Sequence, residues 1–259
     1  MTSNDPDTYL DLSEDRAEAT NGSWFRDIRN AAITLTGWSF GRRGEISRID
    51  MASGRRAFVL IGLALGLVAA VAAWIGDSLG VYAFGAAVFA TITVVSLTNA
   101  QAEGGVAAAA ADLAGATVGS DKRAIVISGS VAAVLLLRIA ALTALTPLST
   151  MLAVYTAALI LSCSAMALAT LAGLESDEEP LFLHEGSGRV WISGFAAILL
   201  AIIFLGFWTA FLAAFISLLV GTLVWACGGM LGLQRNRDLL YAIRIKVELA
   251  VLLTVVAVN

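Results

Sequence analysis

The chain has 259 residues, 59% hydrophobic and 14% charged, with a formal net charge of −4 and a mean hydropathy of +0.85. Soluble domains run nearer half apolar and about a quarter charged, so a soluble globular fold is excluded; the overall charge says little, because what matters in such a chain is where charge sits, and no nucleic-acid partner is expected. Cys163 and Cys227 both fall in apolar runs, with no CxxC spacing and no Cys/His cluster; disulfide frameworks and zinc sites are excluded, and both read as small buried hydrophobes.

A hydrocarbon core about 30 Å thick needs roughly 20 apolar residues per helix, and several windows reach that length. The fold class that follows is all-α, a polytopic integral membrane bundle of about seven transmembrane helices.

Residues 1–23, MTSNDPDTYLDLSEDRAEATNGS, are polar and acidic. They lack the basic and apolar regions of a signal peptide and read as a disordered cytoplasmic tail. Residues 24–56 read as an interfacial amphipathic helix and a linker. Trp24, Ile28, Ala31, Leu35 and Trp38 recur at helical spacing beside Arg26, Asp27, Arg29 and Asn30, which suits a helix at the headgroup level or one packed on the bundle.

Residues 57–259 form the transmembrane domain, with spans expected at about 57–75, 81–98, 124–146, 151–174, 190–206, 208–228 and 247–258. The last is short and recruits residues before Val247, while the block from Val190 to Leu233 is split near Gly206. Eight of the 16 Lys and Arg precede the first span, and the rest outside spans fall in even-numbered connections. Under the positive-inside rule this sets the N-terminus and even connections in the cytoplasm of a multi-pass protein of the cell (inner) membrane. Gly62 and Gly66, and Gly228 and Gly232, have the small-xxx-small spacing that lets helices approach closely.

Few residues can carry chemistry. Arg138, in VLLLRIAAL, is the only basic residue well inside a span. A cation there costs about 2.5–3.5 kcal/mol by insertion scales, so it faces a partner or a water-filled cavity. It binds an anionic group or forms a structural ion pair, with Asp112, Asp238 and Glu248 as candidate partners. Glu248 follows Arg244 by four residues, so the two are able to pair on one helical face. Asp238 lies in the basic connection LQRNRDLLYAIRIK, suited to lipid headgroups or to a phosphate-bearing substrate. The connection ESDEEPLFLHEGSGR holds His184, Glu175, Asp177, Glu178, Glu179 and Glu185, which read as a solvated acidic loop without a metal-loop pattern. No phosphate loop, dinucleotide fingerprint or hydrolytic triad is present. The prolines all lie outside spans, and no inverted repeat is visible, which argues against a permease.

From about residue 30 to the end the sequence resembles the integral-membrane adenosylcobinamide-GDP ribazoletransferases (cobalamin synthases). AFVLIGLALG, Ala57 to Gly66, is similar to the family's Ala-Phe-Pro-Leu-Val-Gly-Leu-Leu-Leu-Gly, with Val59 in place of proline. LTGWSF stands where the family tends to read Leu-Thr-Arg-Leu-Pro-Val. TNAQAEGGVAAAAAD aligns with its Asp-rich metal segment, matching at Thr98, Glu103, Gly105 and Ala107. Gly104, Ala108 and Ala111 replace aspartates, and Ala102 replaces histidine. IVISGSVAA matches Met-x-Asp-Ser-Arg-x-Gly loosely, with Gly129 for aspartate and Val131 for arginine, and Cys163 stands where arginine is usual. The C-terminal segment keeps Asp238, Leu240, Ala242 and Glu248, while Arg237 and Tyr241 replace glycines.

The resemblance implies Mg²⁺-assisted transfer of adenosylcobinamide phosphate from its GDP-activated form to α-ribazole, with release of GMP. It implies Glu103, Asp112, Arg138, Asp238 and Glu248 as the catalytic set of an active member, and Asp112 with Glu103 as metal ligands. The helix scaffold is kept while most polar atoms are lost. Buried acids without a metal are costly, so a divergent, weakened or inactive member is expected, its metal segment turned into a packing surface. The partners expected are the bilayer and, for a non-catalytic scaffold or binding protein, a corrinoid intermediate or other cobalamin-pathway enzymes.

Overall fold

The computed structural model describes residues 24–38, 54–173, 183–230 and 237–258, and every element among them is helical. In chain order these are α1 (Trp24–Thr36), a 3-10 turn (Arg55–Ala57), α2 (Phe58–Ser78), α3 (Ala83–Leu97), α4 (Gln101–Leu113), α5 (Asp121–Ala144), α6 (Leu148–Gly173), α7 (Leu183–Leu205), α8 (Phe207–Met230) and α9 (Arg237–Val258). The tail at 1–23 and the acidic loop with Glu175, Asp177, Glu178 and Glu179 lie outside the described residues, as do the side chains of His184 and Glu185.

By length and apolarity α5, α6, α8 and α2 with its leading turn are able to cross a membrane; α3 and α4 pass together but are bent by 83°. These four or five helices are long and apolar enough to cross a membrane, and they do not fix seven crossings. Arg244, Lys246 and Glu248 keep α9 out of that set, although its 22 residues would rise about 33 Å. The expected split near Gly206 is present: this glycine has a left-handed φ of +77° and separates α7 from α8. The last helix does extend back before Val247, to Arg237.

At the centre lies α6, in contact with α2, α7, α8 and α9. Met151, Val154, Tyr155, Ala158, Leu159 and Ile160 on it are all buried. Two glycines of α2 set the α2–α6 distance. A Cβ on Gly62 would lie 2.8 Å from the Leu159 carbonyl oxygen, and one on Gly66 2.8 Å from Thr156 Cα. Apolar helices lack a hydrophobic drive toward each other in lipid, so such backbone approach supplies the dispersion contact. Outward-facing positions are large and apolar, with Trp191, Phe195, Trp208, Phe211 and Phe215 all exposed along α7 and α8. Cys227 belongs to that exposed surface, which corrects its reading as buried: α8 turns Ala210, Ala213, Ser217 and Gly228 inward instead.

The helix α1 is packed on the bundle, one of the two arrangements expected: Ala31 and Leu35 of the expected stripe are buried and Ile28 packs beside them, while the tryptophans at its two ends are not. Trp24 and Trp38 are exposed, while Asp27, Asn30, Ala31, Thr34 and Leu35 are buried. The reason is electrostatic: Asp27 pairs with Arg56 at the head of α2, whose guanidinium also lies 4.5 Å from the centre of the Trp24 ring. At its other end Tyr241 Oη of α9 donates to the Thr34 carbonyl at 2.6 Å.

The stretch between the second and third expected spans is itself a helix, α4. Its bend from α3 is made by Asn99 and Ala100, both left-handed at φ 50° and 52°. That conformation costs roughly 1–2 kcal/mol at Ala100, while Asn99 is a residue type that adopts it more readily; just before it, Thr98 donates its hydroxyl back to the Val94 carbonyl at 2.9 Å. No proline is needed to break the helix, so the absence of proline from spans did not exclude a broken one. The alanine-and-glycine face of α4 then packs on α9, where a Cβ on Gly105 would lie 2.5 Å from Tyr241 Cβ and 2.9 Å from the Asp238 carbonyl.

Candidate functional site

The bend matters because it carries Glu103 into the interior. Glu103 sits in the first turn of α4 and is 1% exposed, where the positive end of the helix dipole favours its charge. Opposite it, α5 buries Val134, Arg138, Ala141 and Leu142 at helical spacing, so the arginine falls on the inward stripe. Arg138 Nη1 donates to Glu103 Oε1 at 2.8 Å. Its Nη2 donates to Glu248 Oε2 of α9 at 3.2 Å, and its Nε lies 2.6 Å from Glu248 Oε1 in an ion-pair contact. One guanidinium thus joins α4, α5 and α9, and all three side chains are at most 1% exposed.

This arrangement answers what Arg138 faces. Glu248 was among its expected partners and is found there, whereas Asp112 and Asp238 lie elsewhere. Asp112 is nine positions along α4 from Glu103, about 13 Å by helical rise, and accepts from Arg123 Nη1 at 2.7 Å with a side chain 41% exposed. An exposed pair of this kind adds at most about 1 kcal/mol. Asp238 is in the first turn of α9, ten residues or about 15 Å before Glu248. The expected surface pair of Glu248 with Arg244 does not form within ion-pair range, because both Glu248 oxygens are turned to Arg138.

Three residues join the cluster without having been expected there as a group. Arg244 is 1% exposed and Tyr155 2%, and neither Tyr155 Oη nor Arg244 Nε has a hydrogen-bond partner among the described residues. Cys163 is buried within electrostatic reach of Arg244 and Glu248. The available signal was positional: Arg244 and Glu248 share a face of α9, and Tyr155 is an isolated polar group in a long apolar run. Nothing in the one-dimensional pattern assigns them to Arg138.

As arranged, these residues do not fit a divalent cation. The space between the Glu103 and Glu248 carboxylates is filled by a guanidinium, Asp112 is held by Arg123, and no set of three His, Cys, Asp or Glu donors converges among the described residues. What the site does chemically is hold opposite charges in register within an apolar interior. Compared with protein-family models, curated proteins and solved structures, the chain matches none.

Proposed function

We propose that this chain is a multi-pass protein of the cell membrane, with seven crossings and a cytoplasmic N-terminus. In this reading it is a divergent relative of the adenosylcobinamide-GDP ribazoletransferases that has lost their metal-dependent phosphate transfer. Its role is then non-catalytic: a scaffold or corrinoid-binding partner for an intact enzyme. The observation that carries this is the Arg138 guanidinium lying between Glu103 and Glu248, with Asp112 set apart beside Arg123. The topology is supported by the gathering of α1, the head of α2, α4 and the head of α9 at one end. Among the described residues that end carries Arg55 and Arg56 at the head of α2, as the cytoplasmic side should.

The experiment is to incubate the detergent-purified chain with Mg²⁺, adenosylcobinamide-GDP and α-ribazole and to measure GMP. No release above the protein-free control is expected, and turnover at an enzymatic rate contradicts the reading. Retention of the corrinoid's visible absorbance through gel filtration supports binding over a purely structural role.

A second reading, a small-molecule permease, is favoured by one feature. Discontinuous helices beside buried charges mark transport sites, and the break at Asn99–Ala100 lies next to Glu103. Solute uptake by proteoliposomes that is abolished by Glu103→Gln favours this reading over the first.

A further inference from the structure

We infer that Arg244 is the core of an oxyanion site and that its ligand is a phosphate group. The inference rests on the surroundings of this one guanidinium and stands or falls apart from the family reading above.

A guanidinium carries five N–H donors in a planar fork. For Arg244 the structure shows one contact, Nη1 to the Leu35 carbonyl at 3.5 Å, the outer limit of a hydrogen bond. Nε has no partner, and no described carboxylate lies within 4.0 Å of the group. The nearest acid along the helix, Glu248, has both oxygens on Arg138. The contrast with Arg138 is direct, since that equally buried arginine meets carboxylates through all three nitrogens. Buried charges are ordinarily paired and hydrogen-bonded, and an ionisable group inside a membrane domain points to a ligand or pathway. Arg244 holds donors that the described residues leave unmatched.

Phosphate suits the position better than a weaker anion. The fork matches its oxygens two at a time. The group lies beneath the last turn of α1, whose Thr34 and Leu35 carbonyls meet Tyr241 and Arg244. A soluble phosphate compound and a lipid headgroup share this chemistry.

The competing explanation is that Arg244 merely offsets the second carboxylate, since buried Glu103, Glu248, Arg138 and Arg244 sum to zero. A lysine would serve that purpose equally well, but it cannot form the fork. The test follows the thermal midpoint of the full chain, as wild type, Arg244→Lys and Arg244→Gln. In detergent, inorganic phosphate is titrated against chloride at equal ionic strength; in phosphatidylcholine nanodiscs, phosphatidylglycerol is added or left out. A saturable rise of a few degrees in wild type, lost in Arg244→Lys, is expected. A rise in the phosphate arm identifies a soluble ligand and one in the nanodisc arm a headgroup. No response of wild type in either arm overturns the inference, as does an Arg244→Lys response equal to wild type. If the variants fail to fold, the wild-type arms still decide whether a phosphate group binds.

Discussion

Arg138→Met is expected to destabilise the folded chain by about 3–5 kcal/mol, the usual cost of removing one partner from a buried ion cluster. The substitution nearly conserves volume, so the loss arises from Glu103 and Glu248 facing each other with no cation between them, both at most 1% exposed. Glu103→Gln and Glu248→Gln each leave Arg138 one carboxylate and should cost less. The triple variant Arg138→Met, Glu103→Gln, Glu248→Gln should recover most of the loss, because neutral replacement of a whole buried cluster is often tolerated. Thermal or denaturant unfolding in detergent measures all four. A cost under about 1 kcal/mol for Arg138→Met, or no recovery in the triple variant, means the three side chains do not act as one unit.

Gly66→Leu is the second large effect. A Cβ there would stand 2.8 Å from Thr156 Cα and 2.7 Å from its Cγ2, and at Gly62 it would meet the Leu159 carbonyl at 2.8 Å. Backbone cannot rotate away, so α2 and α6 must separate along the centre of the bundle. Overpacking costs typically 1–3 kcal/mol and more where nothing yields, and at least about 3 kcal/mol is expected here. The series has internal controls. Gly228→Ala meets only the flexible end of Leu239 at 2.8 Å and should be mild, and a Cβ on Gly129 meets nothing within 4 Å. Gly129→Ala should be neutral or stabilising by up to about 1 kcal/mol through helix propensity. The monodisperse fraction on gel filtration and the thermal midpoint report the ranking, and equal tolerance at Gly66 and Gly129 contradicts close packing of α2 on α6.

Much of the fold was legible because apolar length is a local property. Each expected span has a helix at its place, and Gly206 and the backward extension of α9 are where composition suggested. The cluster was only half legible. A lone arginine in VLLLRIAAL announces that it needs a partner, and Glu248 was available at the head of an apolar run. Glu103 was not, because the direction of α4 depends on the left-handed Asn99–Ala100 bend, and neither residue carries a glycine or proline signal. The stripe of α1 was legible at Ala31 and Leu35, but the burial of Asp27 and Asn30 beside it was not: the cost of burying Asp27 is offset by Arg56, 29 residues away. Long-range charge pairing buries a residue that local amphipathicity alone places outside.

The claim on which the rest depends is that the guanidinium of Arg138 fills the place between carboxylates that a metal would otherwise take. Mn²⁺ titration of the detergent-purified chain, followed by electron paramagnetic resonance of the free ion, tests this most directly. The account predicts that wild type and the Glu103→Gln, Glu248→Gln double variant deplete free Mn²⁺ equally, with no stoichiometric site that depends on these acids. One tightly bound Mn²⁺ per wild-type chain, lost in the double variant, would contradict it.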